Sequence, residues 1–105
     1  MPPAPPLSPA MRRFVHRLRR ELRAERILLF GSRGRGDHRE GSDFDLLVVS
    51  PRFRTVRWVE RAPKVLRLWE LPYDLDAICL TPEEFRRRKH EISIIGEAAR
   101  EGRAL

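Results

Sequence analysis

Two carboxylate pairs, each followed at once by four apolar residues, limit the folds open to this chain. Asp43-Phe44-Asp45 runs into Leu46–Val49, and Asp74-Leu75-Asp76 runs into Ala77–Leu80. Runs this short, stopped by Ser50-Pro51 and by Thr81-Pro82, read as buried strands rather than helices. Alternate residues of a strand share a face, so Asp43 and Asp45 point the same way, as do Asp74 and Asp76. A third apolar run, Ile27–Phe30, ends at Gly31-Ser32. If the first two strands are antiparallel neighbours, the end of one lies beside the start of the next. The 23 residues of 51–73 are long enough for the crossover that a parallel pair requires. Gly31-Ser32 and both carboxylate pairs then meet at one sheet edge, with Asp45 level with Asp76.

Helices are expected between and around these strands. Met11, Phe14, Val15, Leu18 and Leu22 recur at helical spacing, which places a helix over 9–24, with Ser8 as its cap and Pro9 in its first turn. Residues 32–42 read as a loop or a single helical turn. Another helix is expected within 55–70, with Val59, Leu66 and Trp69 facing inward and Pro63 kinking it or starting its second half. Thr81-Pro82-Glu83-Glu84 is a capping box that opens a helix past Phe85 and through Ile92–Ala99, broken near His90 and stopped at Gly102. The fold class is therefore α/β (α+β), a small mixed sheet flanked by helices. Residues 1–8 form a proline-rich, disordered lead-in and 9–105 a single domain, in keeping with a length of 105 residues.

Charge and composition narrow the function classes. A formal net charge of +7 and a sequence pI of about 11.1 favour anionic partners. The excess is arginine scattered along the chain, however, so a solvated basic face is the simpler reading and nucleic acid is not favoured. The lone Cys79 makes no internal disulfide and no cysteine zinc site. No apolar run nears the roughly 18 residues of a membrane span, so a cytoplasmic protein with no membrane partner is expected.

Clustered carboxylates repel one another unless cations neutralise them, and hard oxygen donors select Mg²⁺ or Mn²⁺. A pair of such ions is the clamp used for in-line phosphoryl and nucleotidyl displacement. Gly31 allows a ligand close to the backbone, Ser32 offers a hydroxyl beside free N–H groups, and Arg33 and Arg35 supply charge for a triphosphate. The loop is not a Walker motif, since no G-K-[ST] is present. Ser32 as a nucleophile lacks a recognisable His/Asp partner. His16, His38 and His90 read as surface residues, and Cys79 as an inert core thiol.

The segment GSRGRGDHREGSDFDLLVV resembles the G-S, ten residues, D-x-D pattern of the DNA polymerase β-type nucleotidyltransferase superfamily. The chain from roughly residue 25 to 105 is similar to its smallest members, the minimal nucleotidyltransferases (MNT), which are often paired with HEPN-domain proteins in toxin–antitoxin systems. LDAICLTPEEF resembles that family's third-carboxylate strand and the capped helix after it. The resemblance implies a polymerase β-like nucleotidyltransferase fold, with Asp43, Asp45 and Asp76 as the metal-binding and catalytic carboxylates. Gly31, Ser32, Arg33 and Arg35 would bind the nucleotide. Gly34 departs from the pattern, standing where these proteins often have Ala.

The expected activity is transfer of NMP, AMP from ATP, to a hydroxyl acceptor on a HEPN-type partner, dependent on Mg²⁺ or Mn²⁺. An acceptor site completed by that partner or by a second copy in a homo-oligomer follows from the chain's small size. Two other classes compete. One is a non-catalytic, antitoxin-like binding module that neutralises a HEPN ribonuclease by contact, which an exposed apolar patch would favour. The other is a basic RNA-binding domain.

Overall fold

A computed structural model describes residues 6–105, so most of the proline-rich lead-in lies outside the described residues. Ser8 caps the first helix, α1 (Pro9–Leu22), by accepting from the Met11 N–H at 3.1 Å. Met11, Phe14, Val15 and Leu18 form its buried stripe. The helix ends two residues short of expectation because Arg23 takes the left-handed conformation that closes a helix, φ 54°.

Strands β1 (Arg26–Phe30), β2 (Phe44–Val49) and β3 (Leu75–Leu80) lie where the apolar runs placed them. Between β1 and β2 the chain makes a five-residue helix, α2 (Gly31–Arg35), and then a loop. β1 and β2 are antiparallel, with Phe30 opposite Asp45, and β2 and β3 are parallel, with Asp45 opposite Asp76. The crossover between them holds a 3₁₀ turn (Pro51–Thr55) and α3 (Trp58–Leu66). A two-residue strand β4 (Arg103–Ala104) follows the last helix and pairs antiparallel with β1, giving the order β3-β2-β1-β4. That strand was not expected from the sequence; two residues carry no alternation to detect.

Alternate strand residues feed two cores. Ile27, Leu29, Phe44, Leu46, Val48, Leu75 and Cys79 pack against α1, Phe53 and α3, with Leu7 against the same cluster. Leu28, Phe30, Leu47, Val49 and Leu80 pack against Phe85 of α4 (Pro82–Arg88) and Ile95 and Ala98 of α5 (Ile94–Glu101). The break near His90 is present as residues 89–93, and Thr81 and Glu84 close the capping box reciprocally.

The expected inward face of the crossover helix needs correction. Trp69 does pack inward, edge-on to Phe14 and Phe44, with its Nε1–H donating to the Tyr73 carbonyl at 2.7 Å. Val59 and Leu66 are exposed instead, and Arg61, Ala62, Val65 and Leu68 face the sheet. Arg61 sets this phase. Its guanidinium donates to the Val56 and Cys79 carbonyls and to Glu84, so an arginine occupies a position that periodicity reserves for an apolar residue. Pro63 neither breaks nor starts the helix and lies inside it on an exposed position.

Candidate active site

The edge where β2 and β3 begin carries the carboxylates, and the turn from β1 into α2 lies against it. That turn is made at Gly31, with φ +68°. A Cβ there would stand 2.5 Å from Asp45 Oδ2, so the backbone conformation and the approach of Asp45 both require glycine. The Phe30–Asp45 pairing in the ladder produces that approach. Gly34 is constrained by space alone, since a Cβ would lie 2.4 Å from the Leu29 carbonyl oxygen. Close packing of α2 on the end of β1 thus accounts for glycine where the resembling proteins often have alanine. No side chain caps the N-terminus of α2, and the Ser32 hydroxyl has no hydrogen-bond partner among the described residues.

Asp45 is half-buried, while Asp43 and Asp76 are exposed at the same edge. Burial raises the Asp45 carboxyl above its ordinary value, and the negative charges of Asp76, Asp43 and Glu97 push it further the same way. Asp74 stands just before β3, where the register sets Leu75 opposite Phe44 and Asp76 opposite Asp45. Its carbonyl accepts from the Phe44 N–H at 2.9 Å, and it lines, with Asp43 and Tyr73, an open groove of about 450 Å³. Asp76 is therefore the carboxylate of that pair that faces Asp45.

Glu97 was missed in the sequence, where it reads as one more charge on a helix. Its place on α5 follows from Ser93, which caps the helix through the Gly96 N–H, and from Gly96, where a Cβ would collide with the Glu91 carbonyl oxygen. Glu97 accepts from Arg35 Nη1 at 3.4 Å, and Arg35 Nε donates to Asp37 at 3.2 Å. Arg35 thus lies beside the carboxylate cluster, already paired with acids. Arg33 does not join it. Its Nε and Nη2 both donate to the Ser42 carbonyl, at 3.1 and 2.9 Å, and its guanidinium lies over the rings of Phe44 and Tyr73. His38 is exposed on the intervening loop.

The donor set suits a hard divalent cation. Asp43, Asp45 and Asp76 offer oxygen only, and among the described residues none of them is in an ion pair. No three His, Cys, Asp or Glu side chains among the described residues stand as a ready-made metal cluster. Mg²⁺ is ordinarily held by one or two carboxylates together with substrate phosphates rather than by an all-protein cage. The pair Asp45 and Asp76, with Asp43 alongside, fits that mode of binding. Among the described residues no helix is long and apolar enough to cross a membrane.

Comparison with known proteins places this geometry in context. A protein-family model, nucleotidyltransferase domain, matches residues 11–103. A candidate protein adenylyltransferase of Methanocaldococcus jannaschii is 35% identical over 51 residues, which is 49% of this chain and 52% of that protein. The matched stretch therefore spans about half of that curated relative's length. Among solved structures, BolA1 from Arabidopsis thaliana superposes with a TM-score of 0.56 at 19% identity, covering 74% of this chain and 98% of that one. This is a likeness of fold alone. A candidate nucleotidyltransferase from Sulfolobus solfataricus superposes with a TM-score of 0.49 at 26% identity, over 78% of this chain and 82% of that one. With the family model spanning the chain from α1 to β4, the protein belongs to the nucleotidyltransferase domain family.

Proposed function

We propose that this chain transfers AMP from ATP to a hydroxyl group, with release of pyrophosphate, in the presence of Mg²⁺ or Mn²⁺. The observation that carries the reading is the register of β2 and β3, which sets Asp45 opposite Asp76 beside Gly31, with Asp43 two residues earlier on β2. Membership of the nucleotidyltransferase family supports the reaction class, and the name of the M. jannaschii relative supports an adenylyl group and a protein acceptor.

In this reading the acceptor oxygen attacks the α-phosphorus as the bond to the β-phosphate oxygen breaks. Pyrophosphate carries away the leaving electrons, and in this reading Asp76 takes the acceptor proton. Asp43, Asp45 and Asp76 would hold the divalent ion, which supplies Lewis-acid stabilisation of phosphate charge when bound. The Ser32 hydroxyl and the α2 amides orient the β- and γ-phosphates, with Gly31 keeping the backbone clear. Arg35 supplies positive charge nearby.

The acceptor is proposed to be a hydroxyl on a HEPN-type partner protein, with the acceptor wall completed by that partner or by a second copy of this chain. The test is incubation with α-labelled ATP and candidate acceptors, with and without Mg²⁺, for the unaltered chain and for Asp45→Asn. Metal-dependent label on a protein acceptor, lost in the variant, is the expected result. Equal labelling by Asp45→Asn would refute the site.

A second reading has its own observation. Trp58, Val59 and Leu66 on α3, and Ile92 and Ile94 before and at the start of α5, are exposed. They suit a contact module that neutralises a HEPN ribonuclease without chemistry. Neutralisation surviving Asp43→Asn/Asp45→Asn but lost in Val59→Glu would favour that role over transfer.

A further inference from the structure

Arg33 holds a position that neither a solvated charge nor a phosphate ligand would need. Its side chain is half-buried, and two of its donors converge on one acceptor, the carbonyl of Ser42. The guanidinium carbon sits 4.3 Å from the Phe44 ring centroid and 4.8 Å from that of Tyr73. The two rings are themselves 5.6 Å apart. Ser42 and Phe44 are the immediate neighbours of Asp43, and Tyr73 immediately precedes Asp74 and the start of β3. One side chain rooted in α2 therefore grips the chain on both sides of Asp43 and touches the entry to the neighbouring strand.

Apart from this grip the approach to Asp43 is held by local turn bonds, and Ser42 is tied to α2 through Arg33. Residues 36–43 carry no helix or strand; Arg39 and Ser42 tie them internally, the Ser42 N–H donating to the Arg39 carbonyl at 3.0 Å and the Arg39 N–H to the Ser42 hydroxyl at 3.1 Å, and the Asp37 N–H donates back to the Ser32 carbonyl. We propose that Arg33 is a positioning residue: it fixes the Ser42–Phe44 backbone so that Asp43 stands beside Asp45 and Asp76. This rests on the nucleotidyltransferase reading of the site. The role depends on the forked guanidinium and not on charge alone, because a lysine ammonium is a point charge that does not present two parallel N–H groups from a flat plane.

The experiment compares the full chain with Arg33→Lys, Arg33→Ala and Asp45→Asn. Amide hydrogen exchange is followed in the ligand-free proteins, and ATP affinity is measured by calorimetry in EDTA and in Mg²⁺. Both Arg33 variants are expected to exchange faster across residues 41–44 while β1 and β3 keep their protection. Their Mg²⁺-dependent gain in ATP affinity is expected to fall about tenfold, as on removing a group that orients a metal ligand, with affinity in EDTA unchanged. Lysine should behave as alanine does. If lysine restores the Mg²⁺ response, or if alanine weakens binding in EDTA, Arg33 acts through its charge on the triphosphate and the proposal is overturned. It is equally overturned if exchange at 41–44 does not change, or if exchange rises with no effect on the Mg²⁺ response. A chain that binds ATP no better with Mg²⁺ than without, indistinguishable from Asp45→Asn, would instead refute the reading of the site, and exchange alone would still decide whether Arg33 holds the Asp43 segment.

Discussion

An alanine at position 31 would bring its Cβ to 2.5 Å from Asp45 Oδ2 and force an L-residue to φ +68°. The backbone alone costs about 1–2 kcal/mol, and displacement of Asp45 comes on top of it. Gly31→Ala is therefore expected to lower the unfolding free energy by about 2 kcal/mol in a denaturant titration and to abolish Mg²⁺-dependent ATP binding in the fraction that folds. Retained binding would mean that the glycine serves the turn only. Cys79 offers a contrast at the same scale. Burial pushes its thiol up to about 12, against a weaker opposing pull from Arg61. At pH 8 the thiolate is scarce and out of reach. A thiol reagent should label Cys79 only as fast as the chain opens, and at once in denaturant. Rapid labelling of the native protein would contradict this packing.

At the level of elements, α3, the end of β3 and the start of α4 are tied by one polar cluster. Arg61 Nη1 lies 2.7 Å from Glu84 Oε1, and the same oxygen accepts from the Thr81 N–H. Burial works against the ionised form of Glu84, but the Thr81 N–H and the Arg61 guanidinium outweigh it and hold the carboxyl below its ordinary 4.5. A carboxyl whose folded value lies below its unfolded one adds stability above the unfolded value and loses it as pH falls through the folded value. Stability should therefore drop on acidification below about pH 4.5. In Arg61→Met the acid loss from this carboxyl should shrink, because its folded value rises toward the unfolded one, after a loss of about 3 kcal/mol at neutral pH from stranding a partly buried carboxylate. Thermal melts from pH 3 to 7 check both. The elements also show where sequence reasoning works. Strand positions, the Asp45–Asp76 level and both Pro-started helices were legible because short apolar runs, turn residues and caps act locally. The phase of α3 was not, because Arg61 satisfies its donors with carbonyls of distant segments. The job of Arg33 was hidden likewise, since its acceptor lies in the loop before β2 and its rings come from the first residue of β2 and from the residue before Asp74. Glu97 reaches the site only through the packing of α5 on the sheet.

For the whole molecule, the parallel pairing of β2 with β3 carries a consequence for chain length. Asp45 and Asp76 each precede four residues that alternate between two cores, one on each side of the sheet. Removing one residue inside either strand turns every later side chain to the opposite layer, or moves the carboxylate off its level. Removing one from the loop after α2 only shortens a connection. The protein should therefore be intolerant of single-codon deletions in two narrow windows and forgiving between them. Deletion of Val48 is expected to abolish soluble expression. Deletion of His38, an exposed residue with no hydrogen-bond partner among the described residues, is expected to leave a folded protein. A scan of such deletions, scored by soluble yield and by circular dichroism, would draw the windows directly. Lineages descended from this chain would then vary in the spacing between the serine and the first aspartate long before they vary within the strands.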